Sequence, residues 1–211
     1  MTVLCVIGDI VKSRKLPQRD RVQLQLAKGL KEVNTIAGRR LLSPYTLTLG
    51  DEFQAVYGHA DQLFYDLWSI VYRIHPTRLR FSVAVGALST RINRRSAVGM
   101  DGPAFHEARS GIDELRRRGG SSFQVSCHST GLSRWIKPFL DIISDESNGW
   151  NKNRLAILQR LLNNCDPHKI SRATSLSIRA VYKNIQAASL KNVVVLLRLI
   201  EEELNQCIAS P

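Results

Sequence analysis

Residues 46–57 read TLTLGDEFQAVY, two β-prone runs, Thr46–Leu49 and Glu52–Tyr57, with only Gly50-Asp51 between them. Gly beside Asp between two such runs is a hairpin signal, because both residues tolerate the backbone of a tight reversal. Beyond the hairpin, Leu63, Leu67, Ile70, Val71 and Ile74 recur at helical spacing, and Leu79–Val85 reads as a strand ending at Gly86. Before it, Val22, Leu26, Leu30 and Val33 mark a helix that Pro17 can start and Ala37-Gly38 can stop. The β-branched run Val3–Ile7, bounded by Gly8-Asp9, reads as a buried strand followed by a loop. Strand, helix, hairpin, helix, strand is the order of a ferredoxin-like split βαβ sheet. Phe105, Ala108, Ile112 and Leu115 add a further helix closed by Gly119-Gly120, and Ser122–Ser126 a last strand.

Beyond a boundary near residue 148 the strand signals vanish. Trp135–Ile143 reads as a short amphipathic helix and the polar stretch Ser144–Asn153 as a linker, so the expectation is an α+β sheet domain over 1–147 and an all-α domain over 148–211. In the second, Leu155, Leu158, Leu161 and Leu162 mark a first helix, and Pro167 can start a short one ending at Thr174. Ser175-Leu176 would be the turn, and Ser177 the N-cap of a helix to Ala188. That is a helix-turn-helix layout, with Ile170, Leu176, Val181 and Ile185 as its small core. Arg179 and Asn184 would read bases and Lys169, Arg172 and Lys183 would approach phosphates of double-stranded DNA, with Ser177 also at the DNA interface. A helical bundle with a solvated basic face gives the same pattern. Leu190, Val193, Leu197, Ile200 and Leu204 follow an a/d spacing that suits either pairing with a second copy or packing against the preceding helices; a palindromic DNA site would favour the homodimer.

Charge agrees with a polyanionic partner. The 211 residues hold 30 Lys+Arg against 18 Asp+Glu, a formal net charge of +12. Residues 151–200 contain nine basic side chains and one acid, so the excess gathers toward the C-terminus. The longest aliphatic run, Val193–Leu197, is far short of a membrane span, and nothing basic precedes Val3–Ile7 as a secretory signal requires; a cytoplasmic protein is expected. Cys5, Cys127, Cys165 and Cys207 form no C-x-x-C pair and read as reduced thiols, with Cys127-His128 too little for a metal site. No Walker A or G-x-G-x-x-G glycine pattern occurs.

Asp9 after the first strand and Asp51 at the hairpin tip would emerge at one edge of a split βαβ sheet. Two converging carboxylates suit a divalent cation such as Mg²⁺, with Glu52 as a third ligand or an exposed strand residue. Turn formation alone also explains both aspartates. Gly8-Asp9-Ile10-Val11 resembles the opening motif of class III nucleotidyl cyclases, and Leu49-Gly50-Asp51-Glu52-Phe53 the hairpin they share with GGDEF diguanylate cyclases. Arg80–Gly86 with Asp101–Arg109 resembles the cyclase strand and later helix. Gly8–Arg14, Gly50–Gln54 and Met100–Phe105 together resemble the SatD family, whose members pair such a palm-type, nucleotidyl-cyclase-like domain with a C-terminal helix-turn-helix.

The resemblance implies a nucleotide ligand, Mg²⁺ on Asp9 and Asp51, phosphate contacts from Lys12 and Arg14, and, in an enzyme, Arg109 stabilising transferred charge. It also carries two departures: the base-selecting Lys of cyclases falls at Leu47 and the ribose-orienting Asn near Phe105. The expected function is therefore a DNA-binding regulator with a nucleotide- or metal-nucleotide-sensing palm. The alternative is a Mg²⁺-dependent cyclase or transferase localised by its helix-turn-helix.

Overall fold

A computed structural model describes residues 1–48, 50–127 and 131–210. Its sheet contains β1 (Thr2–Ile10), β2 (Leu41–Leu47), β3 (Glu52–Tyr57), β4 (Leu79–Ala87) and β5 (Phe123–Cys127) in the order β2-β3-β1-β4-β5. The first four strands are antiparallel in the split βαβ order, and β5 joins β4 in parallel. The helices are α1 (Arg19–Ala37), α2 (Leu63–Ile74), α3 (Pro103–Arg118), α4 (Ile136–Asn148), α5 (Lys152–Leu162), α6 (Pro167–Thr174), α7 (Ile178–Ala187) and α8 (Leu190–Ala209).

Alternation along the strands divides the core in two. Leu4, Val6, Phe53, Ala55, Phe81 and Val83 face α1 and α2, while Val3, Cys5, Ile7, Val56 and Ala84 face α3 through Phe105, Ala108 and Ile112. Both sheet faces are covered, which accounts for the continuous apolar run in β1.

Three local expectations change. The strand before the hairpin is Leu41–Leu47, upstream of the predicted Thr46–Leu49; Pro44 hid it, yet β2 is an edge strand with a register shift between Ser43 and Thr46, where the missing N–H is tolerated. Gly8-Asp9 does not end the first strand. The Phe53 ring lies over Gly8, where a Cβ would stand 2.4 Å from it, so the glycine serves close packing and Asp9 stays in the sheet. The predicted linker is mostly helix: α4 runs to Asn148, only residues 149–151 separate it from α5, and Trp150 is buried.

The C-terminal helices continue the core that contains α1 and α2. One apolar cluster runs from Leu4 to Cys207, and polar contacts pin its seam: Gln159 donates to Ser69 Oγ (2.8 Å), Phe64 N–H to Glu201 (2.9 Å) and Ala60 N–H to Asn205 (2.7 Å). Leu190, Val193, Leu197, Ile200 and Leu204 are all buried within this cluster. The seam expected to meet a second copy is filled from within the chain, because α5 and α7 already cover that face of α8. None of the four cysteines forms a disulfide; His128 lies outside the described residues. No helix among the described residues is long and apolar enough to cross a membrane.

Candidate functional site

The site is built on one rung of the sheet. Asp9 of β1 lies opposite Glu52 of β3 on one side and Arg80 of β4 on the other, and the strand alternation turns all three toward α3. Arg109 and Arg116, two turns apart on α3, reach down onto that rung. Arg80 Nε donates to Asp9 Oδ1 at 3.0 Å and Arg116 Nε to Asp9 Oδ2 at 2.9 Å. Arg109 grips Glu52 with both terminal nitrogens, and Arg116 Nη2 donates to Glu52 Oε2 at 3.2 Å. Arg116 thus bridges the two acids, and Asp113 holds it from its own helix at 3.0 Å.

Asp9 is 2 % exposed and Glu52 7 %. Burial pushes the Asp9 carboxyl above its ordinary value against the pull of Arg80 and Arg116. Burial acts the same way on Glu52, but Arg109 and Arg116 outweigh it and hold that carboxyl below its ordinary value. Two acids and three guanidiniums share the rung, leaving it with one positive charge in excess.

Beside the rung opens a cleft of about 450 Å³, lined by Asp9, the β1–α1 loop residues Lys12, Ser13, Arg14 and Lys15, Asp51 from the hairpin turn, and Arg80 and Arg116. Asp9 and Asp51 therefore lie on one cleft, although they differ in state. Asp51 is partly exposed, and among the described residues its ion-pair partner is Arg19, at 3.9 Å, whereas Asp9 is held on both oxygens.

This arrangement does not fit a Mg²⁺ ion bridging Asp9 and Asp51. Each Asp9 and Glu52 oxygen already accepts from a guanidinium, a dication there would face the repulsion of three arginines, and Asp51 alone supplies a single ligand. Among the described residues no group of three or more His, Cys, Asp or Glu is placed to hold a metal ion. What the cleft offers is an anion site: five basic side chains and two acidic ones, one of them neutralised.

Lys12 and Arg14 line this cleft, whereas Arg109 grips Glu52 outside the lining. Sequence reading missed Arg80, Arg116 and Lys15. Arg80 was visible at the head of the quoted strand, and Arg116 follows Arg109 by seven residues, the interval that returns to the same helix face. Phe105 is buried under α3 against the sheet, out of reach of a ligand in this cleft.

In the C-terminal helices, Asp166 caps α6 and Ser177 caps α7, each accepting a backbone N–H. Ser175 between them takes a left-handed conformation, φ 55°. Ile170, Val181 and Ile185 are buried, with Leu176 against them. Arg179, Tyr182, Lys183 and Gln186 share one exposed face of α7, and Lys169 and Arg172 are exposed on α6. Asn184 instead turns toward α5, accepting from Arg154 Nε at 3.3 Å and donating to the Ala180 carbonyl at 2.9 Å. Tyr182, 41 % exposed, joins the face unforeseen.

The sequence model of the SatD family matches residues 3–202. No curated protein sequence matches. Solved structures similar to the chain include a bacterial light-regulated adenylyl cyclase, 15 % identical with TM-score 0.45, covering 59 % of this chain and 75 % of that one. Also similar are the guanylyl cyclase Cya2 (12 %, TM-score 0.42, 60 % and 75 %) and the guanylate cyclase domain of RhGC from Catenaria anguillulae in complex with GTP (17 %, TM-score 0.40, 59 % and 78 %).

Proposed function

The chain belongs to the SatD family, and from that premise and the charge of the rim we propose that it is a nucleotide-binding protein whose cleft takes the polyphosphate of a nucleoside triphosphate. The observation that carries this reading is the convergence of Lys12, Arg14, Lys15, Arg80 and Arg116 on one cleft beside β1. Guanidinium and ammonium groups at that density suit several phosphate oxygens at once. The likeness of Gly8–Arg14 and Gly50–Gln54 to cyclase motifs supports a nucleotide over other polyanions.

Binding without cyclisation is favoured. The positions that select base and ribose in cyclases fall at Leu47 and at the buried Phe105, and Asp9 and Glu52 are engaged by arginines. Incubation with ATP, GTP, CTP and UTP in Mg²⁺ or Mn²⁺, followed by chromatography, tests this. The expected result is intact triphosphate together with a raised melting temperature, as a ligand selective for the native state requires. A cyclic or pyrophosphate-releasing product that Asp51→Ala abolishes would establish the transferase reading instead.

A second reading, DNA contact through α6 and α7, rests on the face formed by Arg179, Tyr182, Lys183 and Gln186 on a helix capped by Ser177. Such a module, joined to α2 through α5 and α8, gives a nucleotide at the cleft a route to modulate DNA binding. Fluorescence anisotropy with genomic DNA fragments tests it: Lys183→Ala should lower the slope of log K against log salt by about one. An unchanged slope rejects the contact.

A further inference from the structure

The basic cleft adjoins a second space, of about 370 Å³, and Lys12 and Lys15 line both. Beyond those lysines the second space is lined by Val11 and Leu16 of the β1–α1 loop and by Pro76, Thr77 and Arg78 of the α2–β4 loop. Val11 N–H donates to the Arg78 carbonyl at 2.9 Å, which ties the two loops together. Lys12 takes a left-handed conformation, φ 54°, and its carbonyl accepts from Lys15 N–H at 2.8 Å, so one tight turn carries both lysines to the junction of the two spaces. Val11 and Leu16 are half-buried and Pro76 is exposed, an apolar floor open to solvent. Lys12, Lys15 and Arg78 are exposed around it, and no carboxylate is among the described residues of the lining. Arg78 Nη2 donates to the Gly120 carbonyl at 3.4 Å, and its guanidinium carries further donors.

Resting on the reading that the cleft takes the polyphosphate, we propose that this adjoining space is the base subsite of the same nucleotide and that Arg78 selects a purine with a keto oxygen at C6, guanine over adenine. The ribose lies over Lys12 and Lys15, and the base lies on the floor of Val11, Leu16 and Pro76, which takes one of its faces out of water. The space falls within the roughly 300–1,000 Å³ of small-molecule sites and has room for a bicyclic ring. The lining sets the edge that is read. Guanine presents O6 and N7 side by side, two acceptors that a guanidinium meets with two N–H groups. Adenine presents an amino donor in place of O6, and among the lining side chains only the Thr77 hydroxyl can accept from it. The donors of guanine, N1–H and the 2-amino group, lie on the far side of O6, where the open mouth leaves them to water.

The test is calorimetric titration of the full chain, in EDTA and about 0.15 M salt to screen distant charge, with GTP, ATP, inosine triphosphate and inorganic tripolyphosphate. Inosine triphosphate keeps O6 and N7 and lacks the 2-amino group, so it separates the edge from the rest of the base without altering the protein. The expected order is GTP and inosine triphosphate within about twofold of each other, both about tenfold tighter than ATP, and tripolyphosphate weaker than all three. Arg78→Ala, an exposed change outside the lining of the phosphate cleft, should bring GTP down to the level of ATP and move tripolyphosphate less than twofold. Tripolyphosphate binding as tightly as GTP would overturn the base subsite and leave the phosphate reading standing. Equal GTP and ATP, inosine triphosphate behaving like ATP, or equal losses of GTP and tripolyphosphate in Arg78→Ala would overturn the selection by Arg78. Binding of neither GTP nor tripolyphosphate would overturn the phosphate reading and the subsite with it.

Discussion

Replacing Glu201 by Gln tests whether α8 is fused to the sheet domain as tightly as the shared core implies. Glu201 lies on α8 against the N-terminus of α2, where its Oε1 accepts from Phe64 N–H at 2.9 Å. Burial pushes its carboxyl from the ordinary 4.5 up to about 7, opposed by the Phe64 and Gln62 backbone N–H groups and by Arg198, and aided by Asp61. A native state that holds the proton more tightly than the unfolded chain loses stability as pH rises. The loss begins near 4.5, grows through the window up to 7 and is complete above it. At about 1.4 kcal/mol per pH unit, the full window amounts to roughly 3 kcal/mol by pH 8. Glutamine keeps the acceptor and removes the titration.

Urea denaturation of both proteins from pH 4.5 to 8 should give equal stabilities at the acid end and a growing advantage for Glu201→Gln, on the order of 3 kcal/mol at pH 8. In melting temperature that is about 6–12 °C for a chain of this size. Asp66 is likewise pushed up, to about 6, by burial against the pull of Arg40. It titrates in both proteins and cancels in their difference. Parallel curves across the whole range would refute the reasoning, because they would mean that Glu201 is solvated and α8 is not docked on α2.

Other expectations are simpler. Arg116→Ala removes the guanidinium that bridges Asp9 and Glu52 and should weaken tripolyphosphate binding by about tenfold, the worth of one charge-assisted hydrogen bond. Arg117→Ala, on the same helix but outside the cleft lining, should change it less than twofold; calorimetric titration reads both. Gly111→Ala would place a Cβ 2.2 Å from Ser82 Oγ, where α3 packs on β4, and should cost about 1–3 kcal/mol by overpacking. Thermal unfolding checks this, and an unchanged melting temperature would mean that α3 sits farther from the sheet.

The hairpin at 50–51 and the helix spacings around it were enough to read the split βαβ order, because hydrophobic period and turn chemistry act locally. Pro44 concealed the start of β2, since its tolerance depends on the strand's place at the sheet edge, and that is a property of the whole sheet. Gly8 looked like a strand end and is a packing glycine, legible only once Phe53 is across the ladder from it. Asp9, Asp51, Lys12 and Arg14 were visible as candidates. What pairing had to supply was the state of the acids: Arg80 is placed by strand register and Arg109 and Arg116 by the docking of α3, and they draw Asp9 and Glu52, not Asp51, into an ion-pair network. The a/d spacing of α8 showed a buried stripe but left its cover open between a second copy and the preceding helices, because spacing says that a face is covered and not by what; the chain's own helices cover it.

On the proposed reading, the cleft binds phosphate oxygens through its arginines and lysines rather than through a metal held between Asp9 and Asp51. The direct measurement is calorimetric titration of GTP and ATP into the chain and its Asp9→Asn variant, each with EDTA and with Mg²⁺. Retained affinity in EDTA, equal or tighter in Asp9→Asn because Arg80 and Arg116 are released, is the predicted result. Binding that requires Mg²⁺ and disappears in Asp9→Asn would contradict it.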